Sequence, residues 1–366
     1  MKLLVQPGDG ITSLVKGITS AKSSVDIVVF RFDLREVERA LSRAVSRGVA
    51  VRALIAHTNR AGEEALRKLE LRLLGAGIQV ARTADDLARY HGKLMIVDNR
   101  ELYLLAFNFT YSDVEHSRSF GLITRGRDVV REAAKLFEAD TKRVPYEPGV
   151  DRLLVSPLNA RKQLAAFLKG ARRELLIYDP KVSDAAMVRL LAERAAAGVN
   201  IRIIGRLTRK VKGIEARKLT GFRLHTRTII RDRKSAFMGS QSLREIELDA
   251  RREVGMIFRD AKIIERLQRT FEEDWAQSDR RDEQAEGAVP ASRIAKKVAK
   301  ALTRELPAVA PLLDNAVKEL VGSAEELRLN HEEVEADLKD AVKNAVKEVV
   351  RDVVEEAVEQ REGAPR

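Results

Sequence analysis

The sequence predicts an α/β protein made of two duplicated halves related by a pseudo-twofold axis, followed by an all-α C-terminal extension. Three observations carry this. Residues 3–7 read LLVQP and residues 153–157 read LLVSP, each followed by an amphipathic stretch. The order strand, helix, strand then appears twice, about 150 residues apart. After Trp275 the sequence turns polar, and from residue 291 onward there is no strand signal.

Each element follows from residue pattern. The runs IVVF at 27–30 and LLIY at 175–178 are short, β-branched or aromatic, and read as buried strands. LREVERALSRAVSRG at 34–48 and AAMVRLLAERAAAG at 185–198 place apolar residues on one helical face. VAVRALI at 49–55 and VNIRIIG at 199–205 return to strand. Strands alternating with helices predict layered α/β structure with substantial parallel pairing. The stretch 144-VPYEPG-149 breaks both periodicities and separates a first half, 1–146, from a second, 147–284. The extension, 285–366, opens with AEGAVP. Within it, residues 338–360 place Leu338, Val342, Val346, Val349, Val350, Val353 and Ala357 on one helical face. Like-charge pairs at i,i+4, Lys343 with Lys347 and Asp352 with Glu356, disfavour that helix alone, so its stripe calls for a partner: the body, another tail helix or a second chain.

Composition narrows the function. With 366 residues there is ample chain for a sizeable core, and the absence of cysteine excludes disulfides, thiolate nucleophiles and cysteine-ligated zinc. No apolar run reaches the length of a membrane-spanning helix, and the opening Met1–Pro7 lacks the apolar core of a secretory leader, so a cytoplasmic protein is the expectation. Net charge is +12, but residues 285–366 carry 13 basic and 17 acidic side chains, which leaves +16 on residues 1–284. That surplus suits a polyanionic partner: nucleic acid, an anionic lipid surface or a phosphate ester.

The chemistry-bearing feature is duplicated too. Residues 91–98 read HGKLMIVD and residues 225–232 read HTRTIIRD. On a strand, i and i+2 share a face, so His91 sits beside Lys93 and His225 beside Arg227. An imidazole next to a fixed cation suits a phosphate: the cation neutralises oxygens while the imidazole attacks or protonates. Two such copies across a pseudo-twofold axis would flank one phosphorus. Seventeen residues past each histidine stand Asn108 and Ser242, and twenty-eight past each stand Ser119 and Glu253, so the register holds without gaps.

These motifs resemble those of the phospholipase D superfamily, whose signature is His-x-Lys, four residues, Asp, then Gly-Ser-x-Asn and a later acidic residue. The resemblance covers roughly residues 1–284 and leaves out the tail. It implies two α/β halves with the active site at their interface. It also implies metal-independent phosphodiester cleavage or transfer without a cofactor, one histidine forming a covalent phosphohistidine and the other protonating the leaving group. The substrate class stays open between phospholipid headgroups, with peripheral membrane contact, and nucleic acid. The departures are Leu105-Ala106 for Gly-Ser, Ser119 for the acid, Arg227 for Lys and Ser242 for Asn, whereas Asn108, Ser240 and Glu253 match.

The residues expected to act are therefore His91, Lys93, His225, Arg227 and Glu253. Lys93, Arg227, Asn108 and Ser240 would bind phosphate oxygens, and Asp98 and Asp232 would brace the motif backbones. A nucleophilic imidazole needs a carboxylate on its second nitrogen. Glu253 is expected to serve His225 in this way, making His225 the nucleophile and His91 the general acid, with Glu115 as the nearest substitute carboxylate for His91. Family habit points the other way. His57, His116 and His331 lack partners in the pattern. Basic clusters at 206–218 and 223–234 would steer an anionic substrate but carry few of the aromatics that a base-stacking surface needs. The alternative to an enzyme is a degenerate phosphate-backbone binding module, on nucleic acid or anionic lipid, that assembles through its helical tail as a homo-oligomer or on a helical partner.

Overall fold

The first half runs β1 (Lys2–Gln6), α1 (Thr12–Ser20), β2 (Ser24–Val29), α2 (Arg35–Ser46), β3 (Ala50–Ile55), α3 (Gly62–Gly75), β4 (Gln79–Arg82), β5 (Arg89–Tyr90), β6 (Leu94–Val97), β7 (Glu101–Leu105), α4 (Tyr111–Glu115), β8 (Ser117–Thr124) and α5 (Arg127–Lys142). The second runs β9 (Leu153–Val155), α6 (Ala160–Lys169), β10 (Glu174–Val182), α7 (Ala185–Ala196), β11 (Asn200–Leu207), β12 (Ile214–Lys218), β13 (Arg223–Leu224), β14 (Arg227–Arg231), β15 (Ser235–Gly239), α8 (Glu245–Asp249), β16 (Arg251–Arg252), β17 (Val254–Phe258), α9 (Ala261–Ala276) and β18 (Asp279–Arg280). These come from a computed structural model that describes residues 1–58 and 62–280, all within one compact unit, Met1–Arg281. The expectations placed on 285–366 (a helical extension, its apolar stripe, its partner and His331) lie outside the described residues.

The duplication is legible element by element. Ser24 of β2 corresponds to Glu174 of β10, and Ala50 of β3 to Asn200 of β11, an offset of 150. From β5 and β13 onward the offset is 134, which matches His91 to His225. The change of register falls where the first half carries α3, a helix with no counterpart between β11 and β12.

Parallel pairing is narrower than expected. Between strands of the same half, only β2-β3-β4 and β10-β11-β12 are parallel. The other same-half neighbours are antiparallel, giving mixed sheets in the order β1-β8-β7-β6-β2-β3-β4 and β18-β12-β11-β10-β14-β15-β17-β9. Both sheets turn their inner faces to one core that α5 and α9 fill, with Leu94, Leu104 and Phe120 from one side and Leu176, Tyr178 and Ile230 from the other. The outer face of the first sheet packs on α1, α2 and α3, and that of the second on α6 and α7. Two α/β halves around a shared helical layer are the predicted fold class. No helix among the described residues is long and apolar enough to cross a membrane.

Each His motif is tied to its sheet at the Asp. The β6–β7 hairpin turns through Asp98 and Asn99 at φ 53° and 51°, and the β14–β15 hairpin through Asp232 and Arg233 at 53° and 57°. This is the left-handed pair of a two-residue hairpin turn, and Asp and Asn tolerate it best after glycine. The Asp98 carboxylate accepts the backbone N–H groups of Lys22, Ser23 and Ser24 and the Ser23 hydroxyl, at 2.7–3.0 Å. Asp232 does the same for Arg172, Arg173 and Glu174. Both carboxylates therefore clamp the helix-to-strand loop that enters the neighbouring strand, at the strand end away from the histidines.

Burial alone would raise the pKa of Asp98, but the donors of Ser24, Ser23 and Lys22 outweigh it and hold the carboxyl at about 2. A lowered folded-state pKa means the stabilisation is full above the unfolded value and is lost as pH falls through the folded one. Asp98→Ala is expected to cost about 2 kcal/mol at pH 7. In urea denaturation the gap to wild type should narrow steadily from pH 4 to pH 2; a gap independent of pH would refute the clamp.

Candidate active site

Two short cross-half pairings assemble the site. β16 pairs in parallel with β5, Arg251 opposite Arg89 and Arg252 opposite Tyr90. β13 pairs in parallel with the start of β8, Arg223 opposite Ser117 and Leu224 opposite Arg118. The next backbone group continues each ladder: the His91 N–H donates to the Arg252 carbonyl at 2.7 Å, and the His225 N–H to the Arg118 carbonyl at 3.1 Å. Each histidine is thus held by the half to which it does not belong.

The cations are placed by the same rule. The Lys93 ammonium donates to the His91 carbonyl at 2.7 Å, and the Arg227 Nη1 to the His225 carbonyl at 2.8 Å. Lys93 is 1% exposed and lies 5.5 Å from the Phe30 ring, whose edge packs against His91 with centroids 4.5 Å apart. The four groups lie close enough to act on one another. Burial pushes both imidazoles well below their ordinary 6.5; Lys93 and Arg227 add to this at His91, as Arg227, Lys93, Arg223 and His91 itself do at His225. Burial also brings the Lys93 ammonium down from 10.5 to about 7, against the opposing charge of Glu253. These surroundings favour neutral imidazoles and a lysine poised between its two forms.

The carboxylate partner is the reverse of the sequence-based expectation. Glu253 holds His91, with Oε2 at 2.9 Å and Oε1 at 3.1 Å from Nδ1, and does not hold His225. The reason is the cross-half ladder: Arg252 is bonded to His91, so the next residue, Glu253, lies beside that ring. By the same geometry, Ser119 follows Arg118 on the His225 side. Its hydroxyl is fully buried without a hydrogen-bond partner among the described residues. Glu115, the expected substitute, is exposed on α4 and plays no part. Burial raises the Glu253 pKa, opposed by Lys93, the Ser240 hydroxyl and Arg227.

Sequence reasoning missed Asp113, whose Oδ2 lies 3.4 Å from the His225 Nδ1. It is 1% exposed, accepts the Asn108 N–H and Nδ2 at 2.7 Å, and pairs with Arg223. Its counterpart is Glu247, which accepts the Ser242 N–H at 2.8 Å and faces Arg227, Arg244 and Arg251. A signal was present: both acids stand twenty-two residues after their histidine.

The remaining expectations divide. Asn108 is buried at the site, one amide hydrogen given to Asp113 and its carbonyl oxygen without a partner among the described residues. Ser240 departs from a phosphate-binding role. Its hydroxyl accepts the Val254 N–H at 3.1 Å and reaches Glu253, so it steadies the carboxylate behind His91. His57 and His116 are exposed outside this constellation.

Comparison with known proteins agrees with this geometry. A family model described as "Cardiolipin synthase, PLD-like domain" matches residues 14–141 and 164–275. The mitochondrial cardiolipin hydrolase of Danio rerio is 31% identical over 137 residues, covering 34% of this chain and 56% of that protein. The human mitochondrial cardiolipin hydrolase is 32% identical over 129 residues, covering 35% and 49%. The chain thus spans about half the length of these relatives. Among solved structures, the phosphatidylserine synthase of Haemophilus influenzae Rd KW20 superposes with a TM-score of 0.62 at 10% identity, covering 87% of this chain and 94% of that one. The polyphosphate kinase of Porphyromonas gingivalis gives 0.63 at 19% identity, covering 75% and 50%. At these identities both show a shared fold.

Ring-nitrogen NMR of the ligand-free protein at pH 6.5 is expected to show His91 and His225 neutral, with His91 held as the Nδ1–H tautomer. Glu253→Gln should release that tautomer to a mixture; a cationic His91 at pH 6.5 would overturn the electrostatic account.

Proposed function

The chain belongs to the phospholipase D-like domain family of cardiolipin synthase, and from that premise we propose that it cleaves or transfers a phosphodiester through a covalent phosphohistidine on His91. The observation that carries the reading is the Glu253 carboxylate on the His91 Nδ1. A carboxylate there fixes the tautomer whose Nε2 lone pair faces outward, and it stabilises the ring as it becomes cationic. This reverses the sequence-based leaning toward His225.

In the proposed reaction the His91 Nε2 attacks phosphorus and the bond to the leaving oxygen breaks. That oxygen takes a proton from His225. A water or acceptor alcohol then gives a proton back to His225 and attacks phosphorus, the P–N bond breaks, and His91 is restored. Lys93 and Arg227 neutralise the non-bridging oxygens, as a metal would, and the second amide hydrogen of Asn108, whose first goes to Asp113, can donate to them. An incoming phosphate counters the burial that holds Lys93 at about 7, so the substrate itself charges the lysine. It likewise favours the protonated form of His225, with Asp113 behind the ring. Supporting a diester of the phospholipid class are the two cardiolipin hydrolases; supporting a nucleic acid is the charge of residues 1–284.

One observation favours the non-catalytic alternative, a phosphate-binding module. Among the described residues the His225 Nδ1 has no hydrogen bond: Asp113 Oδ2 stands 3.4 Å away, and Ser119 occupies the place that Glu253 has beside His91.

Hydrolysis of bis(p-nitrophenyl) phosphate in excess chelator separates the two. His91→Ala is expected to lose activity to background and Glu253→Gln to lose about 10²–10⁴-fold. His225→Ala, given this activated leaving group, should still be attacked but fail to activate water, so an acid-labile phosphoryl adduct accumulates on His91 by mass spectrometry. Absence of turnover in folded wild type would favour the binding module; an adduct on His225 would reverse the assignment.

The pH dependence has a definite sign. His91 must be neutral to attack and His225 protonated to donate, and both pKa values lie well below 6.5. The profile of kcat/KM, which reports the free enzyme, should be a bell with its maximum on the acid side of 6.5, falling further as Lys93 loses its charge near pH 7. That of kcat should lie at higher pH, since bound phosphate raises His225. A kcat/KM maximum above pH 8 would be incompatible with this electrostatic arrangement.

A further inference from the structure

The two halves, so alike in backbone, differ in charge at the site. In the first half Arg89, Lys93, Thr110 and Ser117 occupy four positions whose second-half counterparts are Arg223, Arg227, Arg244 and Arg251. Two cations face four. The additional pair, Arg244 and Arg251, converges on Glu247 with Nη1 atoms at 3.0 and 3.3 Å, and Arg227 approaches the same carboxylate at 3.9 Å. Glu247 is 1% exposed, and its other donor is the Ser242 backbone N–H at 2.8 Å. One buried carboxylate thus gathers three guanidiniums and neutralises one.

Resting on the phosphodiester reading above, we propose that Arg244 and Arg251 form a second anion subsite beside the reacting phosphate, and that the substrate carries a second phosphate a short linker from the scissile one. Charge balance supports this. Before Lys93, which stands between its two forms, is counted, the cations Arg89, Arg223, Arg227, Arg244 and Arg251 face the carboxylates Asp113, Glu247 and Glu253, a surplus of two, and a phosphodiester carries one negative charge. Position supports it as well. Arg251 lies opposite Arg89 in the cross-half ladder, two residues before Glu253, and its charge is felt at both His91 and Glu253. A donor is available too: the buried Arg251 Nε has no hydrogen-bond partner among the described residues. A guanidinium fork suits phosphate oxygens bidentately, and Glu247 holds the forks in place before a ligand arrives. The shared chemistry is a bisphosphate, found in consecutive phosphates of a nucleic-acid strand and in a phospholipid with two phosphates on one glycerol.

Calorimetric titration of the full chain with orthophosphate and with methylenediphosphonate tests the subsite without requiring turnover. Wild type is expected to bind the diphosphonate at least about tenfold more tightly. Greater ligand charge alone would favour it at any basic surface, so the variants decide. Arg244→Gln, on a side chain one-third exposed, and Arg251→Gln should each bring that preference below about threefold. Arg251→Lys, which keeps the charge, should retain most of it, and Arg189→Gln, on the exposed face of α7, should leave it unchanged. A preference near one in wild type, or one that survives in both glutamine variants, would overturn the subsite. Loss of turnover on generic diesters with the preference intact would instead refute the enzyme reading and leave the subsite standing. To identify the source, affinities are compared for a thymidine dinucleotide with and without a 5′-phosphate, and for diphosphatidylglycerol against phosphatidylglycerol in detergent micelles. The pair that shows the preference names the substrate class; no preference in either refutes a bisphosphate substrate.

Discussion

Everything at the site depends on two short strands exchanged between halves. β5 pairs with β16, and β13 with the start of β8, so each histidine takes its backbone bond from the opposite half. Neither half alone brings an imidazole, its cation and its carboxylate together. The exchange also decides which acid meets which base. The residue after the bonding carbonyl lies beside the opposite ring, so Glu253 places a carboxylate on His91, whereas Ser119 places none on His225. One sequence difference between the copies thereby becomes a difference in chemical role.

Burial then sets the electrostatics. Lys93, Glu253, Asp113 and Glu247 are each essentially inaccessible to solvent. An unpaired charge in such surroundings costs several kcal/mol, and pairing offsets only part of it. Burial favours neutral imidazoles and brings Lys93 down to about 7 beside the Glu253 carboxylate. A phosphate supplies the missing negative charge, which favours the ammonium and a protonated His225 together. Binding and the proposed chemistry therefore draw on the same electrostatic deficit, and the guanidiniums around Glu247 extend it beyond a single phosphate.

The copies diverged where divergence is cheap for the fold. Asp98 and Asp232 clamp equivalent loops through equivalent bonds, and the sheets, hairpins and central helices superimpose in register. Those features fix backbone, and either copy would lose stability without them. Ser119, Ser242, Arg244 and Arg251 differ from Glu253, Asn108, Thr110 and Ser117, and the only strand change among them is at Glu253, where the counterpart of β8 divides into β16 and β17. Function could thus become asymmetric on a symmetric frame.

Much of this was legible in the residues alone. Periodicity and the doubled LLVxP openings determined two α/β halves, and the gapless spacing from His91 and His225 to residues 28 positions on determined which side chains would gather. The bracing role of Asp98 and Asp232 followed from their place at the far end of a strand. What the sequence could not determine was pairing across the axis. Glu253 is 28 residues from His225 and 162 from His91, and nearness in the chain pointed to the wrong ring. Asp113 was overlooked for the same reason, since the other half lays His225 against it; Glu247, gathered by Arg227, Arg244 and Arg251 of its own half, stands at the matching place after its histidine and was missed with it. Local periodicity is a property of one segment and can be read from it. A hydrogen bond between halves exists only once both have folded and their strands have met, and that meeting decided which histidine the Glu253 carboxylate holds.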